Sequence, residues 1–140
     1  MTQRPQRASS DTTSEGIRVE ASAQYIPKDS NPEGHQYVYG YRITITNVGT
    51  RRARLRSRHW LILDADNNRQ DVSGQGVVGQ FPDLAPGQRF EYTSGCPLPT
   101  KWGTMEGSYT FEREDATRFE VAVGRFFLVP NTLRVAAAAG

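Results

Sequence analysis

A chain of 140 residues is long enough for one domain with a core of its own, and it holds no run of eighteen apolar residues able to cross a membrane as a helix. Its composition, 36% hydrophobic and 10% aromatic with six Tyr and six Phe, points to a core closed by large rings. The net charge of +2 comes from the ends, where Arg4, Arg7 and Arg134 outnumber Asp11; residues 15–130 balance at 14 basic and 14 acidic side chains, which argues against a nucleic-acid partner.

In chain order, residues 1–14 carry no large apolar side chain except Met1 and are expected to be a disordered N-terminal segment. They also lack the apolar stretch of a secretory signal, and the single cysteine, Cys96, cannot form an internal disulfide; both suit a cytoplasmic setting. Ile17, Val19, Ala21, Ala23 and Tyr25 alternate with polar residues, as a half-buried strand requires. After a turn-rich stretch through Asn31, Pro32 and Gly34, a second alternating row runs over Tyr37, Tyr39, Tyr41, Ile43 and Ile45 and stops at Asn47-Val48-Gly49. Its tyrosines read as core rings in cross-strand packing.

A third strand spans about 53–63 and carries two incompatible signals. Arg52, Arg54, Arg56 and Arg58 share a parity with Trp60 and Ile62, opposite to Ala53, Leu55, Leu61 and Leu63. Either the strand passes under cover after residue 59 or a bulge re-aims it. Both readings display Arg52 to Arg58 as a row on one exposed face, and His59 falls with the apolar parity, as a core or edge histidine. Beyond Asp64-Ala65-Asp66-Asn67-Asn68, a turn cluster, lie a Gly-rich loop at 73–79, a second turn at 82–87, a strand from Phe90, and a closing pair, Gly107–Glu112 and Phe119–Leu128. Residues 131–140 read as a flexible tail. No window shows a helical apolar stripe, so 15–130 is expected to form one all-β domain, an antiparallel sandwich of about seven strands.

Several motifs recur together: Ser57-Arg58-His59-Trp60, Val72-Ser73-Gly74-Gln75-Gly76-Val77-Val78-Gly79, Leu84-Ala85-Pro86-Gly87 and Tyr92-Thr93-Ser94-Gly95-Cys96-Pro97-Leu98, followed by Thr100, Gly103, Met105, Gly107 and Tyr109. In this order they resemble the bacterial ApaG family over roughly residues 15–129. The resemblance implies an immunoglobulin/fibronectin-III-like sandwich. It further implies a link to cobalt and magnesium tolerance by an undefined mechanism, a protein-interaction role, and no established enzymatic activity.

Gly74, Gly76 and Gly79 match the spacing of a dinucleotide loop, but Gln80-Phe81-Pro82 follows at once and leaves no room for a helix N-terminus. A weaker version survives, in which the loop amides and nearby arginines hold a phosphate or nucleotide. Arg52, Arg54, Arg56 and Arg58 are the candidate partner-binding residues, because guanidinium groups pair bidentately with carboxylates and phosphates. His35, His59 and Cys96 lack metal-ligand spacing, and Asp64, Asp66 and Asn68 begin a calcium-like loop that fails at Arg69 and Gln75. No catalytic residue, metal or cofactor is expected. The sequence therefore favours a non-enzymatic protein-binding module, with phosphate or nucleotide binding as the alternative.

Overall fold

The computed structural model describes residues 8–130, which form two antiparallel sheets packed face to face as a sandwich. The first sheet takes the order β1 (Ser9–Ser14), β2 (Ile17–Tyr25), β3 (Tyr37–Asn47) and β7 (Arg89–Leu98). The second takes β5 (Arg69–Gln75), β4 (Ala53–Asp64), β8 (Gly103–Arg113) and β9 (Arg118–Leu128), with a two-residue β6 (Asp83–Leu84) pairing β4. Two 3-10 turns, Pro27–Asp29 and Pro32–Gly34, lie in the β2–β3 connection. The all-β sandwich expected from alternation is present, with nine strands among the described residues instead of about seven.

The inward rows of both sheets supply the core. Ile17, Val19, Tyr39, Ile43 and Ile45 meet Leu55, Tyr109, Phe111, Val121 and Phe126, all with no measurable exposure. Trp60 sits at the centre, its ring edge-on to Tyr41, Tyr109 and Phe126 at centroid distances of 5.5, 6.1 and 6.1 Å, a favoured arrangement for aromatic quadrupoles. Tyr39 and Tyr41 are thus the core rings that the alternating row anticipated.

One boundary needs correction. Ser9–Ser14 belongs to the expected disordered segment, yet it forms β1, paired to β2 from Ser9↔Ser22 to Ser14↔Ile17. Its hydroxyls close one side of the sandwich: Ser10 Oγ donates to the Gly124 carbonyl at 2.7 Å and Thr12 Oγ1 to that of Ala122 at 2.8 Å. Apolar content misjudges such a strand, because backbone pairing and hydroxyl donors order it without large side chains. Residues 1–7 and the expected tail at 131–140 lie outside the described residues.

The opposite side of the sandwich is built differently. There β5 and β7 end their respective sheets, and neither pairs with a further strand among the described residues.

Candidate functional site

The third-strand conflict resolves as a bulge. On β4, Leu55 pairs with Phe111 and Ser57 with Thr110, which leaves Arg56 without a counterpart on β8. One unpaired residue reverses the side-chain alternation. Ala53 and Leu55 point inward before it, Trp60 and Ile62 after it. The single row of arginines expected on one face is therefore split, which corrects that reading. Arg52, Arg54 and Arg56 stay outside, whereas Arg58 shares the inward parity of Trp60 at the rim of the sandwich.

The outer arginines differ in their partners. Arg52 pairs with Asp83 at 2.9 Å, Arg51 with Asp115 at 3.4 Å and Arg56 with Glu112 at 3.5 Å. Arg54 is exposed and makes no ion pair among the described residues. Arg56 also lies over the ring of Phe81, 5.7 Å from its centroid. Phe81 is 36% exposed, and Val78 beside it in the loop is 51% exposed. A shallow hollow of about 160 Å³ gathers Arg52, Arg54, Arg56 and Arg113 with Asp83, Glu112 and Glu114. Exposed ion pairs contribute little to stability, so these arginines do little to hold the fold together.

Arg58 is held by backbone instead. Its Nη1 donates to the carbonyls of Gln75 at 3.1 Å and Gly76 at 2.8 Å. The guanidinium lies against Gly74, its cross-strand partner, where any added Cβ would fall 2.7 Å from Nη2. Gly74 thus belongs to strand β5, not to a loop, and its missing side chain makes the seat for Arg58. Nearby, the hydroxyls of Tyr92 and Tyr109 share a hydrogen bond at 2.6 Å in the core. Burial pushes both phenols well above their usual range, although the Arg58 charge works in the other direction.

The other candidate glycines serve a turn. Val78 and Gly79 adopt φ of 43° and 79° between Val77 and Gln80, which exchange two hydrogen bonds of 2.8 Å. Gly76, at φ 64°, donates its amide to the Arg56 carbonyl at 2.9 Å. The amides of Gly76, Val77 and Gln80 are therefore committed within the protein, and the cradle expected for an anion is largely spent. A hollow of about 570 Å³ lies on the outer face of the first sheet and includes Glu20, Arg42 and Glu91. Its charged groups, three carboxylates and Arg42, pair locally: Asp11 with Arg18 at 2.7 Å, Glu20 with Arg18 at 3.4 Å and Glu91 with Arg42 at 3.9 Å.

His59 faces outward after the bulge, with Nε2 2.9 Å from Asp71 Oδ2, and does not enter the core. Asp71 also pairs with Arg69 at 2.7 Å; the Arg69 and His59 hydrogen bonds together hold its carboxyl down to about 2. Asp64 closes its own turn, accepting from the Asp66 and Asn68 amides at 2.8 and 2.9 Å, so its oxygens are already used. Among the described residues no group of three or more His, Cys, Asp or Glu side chains converges. Cys96 is buried, and burial pushes its thiol up to about 11, away from the reactive thiolate. Sequence reasoning missed Phe81, seen only as a helix stop, and the exposed Trp102, which stacks on Phe127 with centroids 6.2 Å apart.

Fold and surface thus define a small antiparallel sandwich domain with an arginine–aromatic outer patch and a cation at its open rim. The family model described as the ApaG domain matches residues 27–113. Protein ApaG of Azoarcus sp. (strain BH72) is 54% identical over 118 residues, covering 84% of this chain and 93% of that protein. Protein ApaG of Bordetella pertussis is 49% identical over 118 residues, covering 84% and 90%. A crystal structure of the putative ApaA protein from Bordetella pertussis superposes with a TM-score of 0.79 at 44% identity, covering 91% of this chain and 99% of that one. The chain belongs to the ApaG family.

Proposed function

We propose that the domain is a non-enzymatic protein-binding module whose anchor is the outer patch of Arg54, Arg56 and Phe81. The observation that carries this reading is Arg54, an exposed guanidinium without an ion-pair partner among the described residues, beside an arginine that lies over a partly exposed ring. Arg and aromatic side chains dominate the energetics of protein interfaces, because they combine broad apolar contact with directed hydrogen bonds. An acidic partner segment would meet Arg54 without first displacing an internal carboxylate. The family link to cobalt and magnesium tolerance fits an indirect route, in which a bound partner and not this chain handles the ion.

The test is affinity capture from the native host with quantitative mass spectrometry, comparing wild type with Arg54→Glu and with Phe81→Ser. Both variants should lose the same partner by tenfold or more, in the range of a hot-spot contact worth about 2 kcal/mol. Their thermal unfolding should match wild type. Recovery of an unchanged partner set with both variants rejects the patch.

A further inference from the structure

The side of the sandwich opposite the β1–β9 seam carries three features that line up. First, β5 and β7 each end a sheet there, so among the described residues each presents unpaired backbone groups along one edge. Second, Arg58 stands at one end, its Nη1 fixed to Gln75 and Gly76, while its Nε and Nη2 make no hydrogen bond among the described residues. That Nε–Nη2 edge is a fork that matches a carboxylate. Third, a hollow of about 260 Å³ opens at the other end, where Ile62, Leu98 and Pro99 form an apolar floor bordered by Asp64, Asn68, Arg69 and Gln70. Arg58 and Ile62 share the inward face of β4 four residues apart, hence about 13 Å at the rise of a strand.

We infer that this side receives an extended segment of a partner protein as an added strand on β5, bearing an acidic residue and, four residues later, an aliphatic one. An antiparallel guest would face Gly74 with its acidic residue, Val72 with the second residue after it, and Gln70 with the aliphatic one. Side chains two apart on a strand share a face, so all three point into the sandwich. The acid then meets Arg58, the middle residue packs on half-buried Val72, and the aliphatic side chain enters the Ile62–Leu98 hollow. Antiparallel pairing is chosen because its hydrogen bonds are the better aligned. Charge complementarity sets the register: Arg58 is the one inward-facing arginine of β4, and no ion pair satisfies it among the described residues. The inference rests on the domain being a binding module, but its contacts, Arg58 and the β5 edge, are other than Arg54 and Phe81.

The probe is a synthetic eight-residue peptide with glutamate at its third position, valine at its fifth and leucine at its seventh, the others threonine or lysine. Titrated into isotope-labelled full chain, it should shift the amides of Val72 and Gly74 saturably and slow hydrogen exchange along Arg69–Gln75. Replacing its glutamate by glutamine should weaken it about tenfold, and Arg58→Gln in the protein should do the same without adding to that loss, as a paired charge-assisted bond requires. The peptide arm stands by itself if Arg58→Gln unfolds. Arg54→Glu should leave peptide affinity unchanged. Absence of saturable shifts at about 1 mM peptide, shifts confined to the Phe81 side, or equal affinity for the glutamine peptide each overturn the inference. Loss of a lysate partner on Arg54→Glu without peptide binding would defeat the groove and leave the outer patch standing.

Discussion

Replacing Gly107 by alanine should be among the most damaging one-carbon changes in the chain. Gly107 lies on β8 opposite Trp60 of β4, where the β8–β9 register slips. A Cβ there would fall far inside 3.0 Å of the His59 carbonyl oxygen and 3.1 Å from Trp60 Cε3. The carbonyl belongs to a central strand paired on both sides, so it cannot swing aside as a side-chain tip can. The Trp60 ring is no freer, with three aromatic neighbours holding it. Overfilling a packed core costs about 1–3 kcal/mol, and a backbone obstacle places Gly107→Ala at the upper end, about 2–3 kcal/mol. For a domain of this size that corresponds to a fall in Tm of roughly 6–15 °C. Gly74→Ala is the comparison: it meets only the Arg58 guanidinium, a side-chain tip that can shift at the expense of its bonds to Gln75 and Gly76, so its stability cost should stay below that of Gly107→Ala. Thermal and urea unfolding followed by tryptophan fluorescence would measure both. A Gly107→Ala protein that melts within a few degrees of wild type, or a Gly74→Ala protein equally impaired, would refute the reasoning.

Tyr92→Phe should cost about 1–3 kcal/mol in urea unfolding, because it strands the Tyr109 hydroxyl in the core, and the double Tyr92→Phe/Tyr109→Phe variant should cost less than the two single changes summed. Asp71 has a folded-state carboxyl held near 2, below its ordinary 3.8, so its stabilising contribution is present above that ordinary range and is lost as pH falls from about 4 through 2. Stability measured against pH should therefore fall less steeply across that window in Asp71→Asn, and an unchanged slope would discount the Arg69 and His59 bonds. Cys96 should react with an aromatic disulfide reagent at pH 8 only slowly in the native protein and fully in denaturant, since burial lifts its thiol to about 11. Rapid native labelling would contradict that placement.

The alternation of Ile17 to Tyr25 and of Tyr37 to Ile45 was enough to define two strands, because a period of two has one meaning wherever half the side chains are apolar. The same reading supplied the turns and the all-β class, and the ordered motifs pointed to the family. It could narrow the third strand only to two possibilities. Where Arg58 points depends on the slip at Arg56, and that slip exists only in the pairing of β4 with β8, residues more than fifty positions away in the chain. Ser9–Ser14 was missed for a related reason: its order comes from hydrogen bonds to β2 and β9, to which composition is blind. Chain chemistry alone determined which segments extend and which faces are apolar. Partnership between distant strands decided the rest, dividing the arginines between an outer patch and the open rim, because a backbone bulge reverses every side chain beyond it.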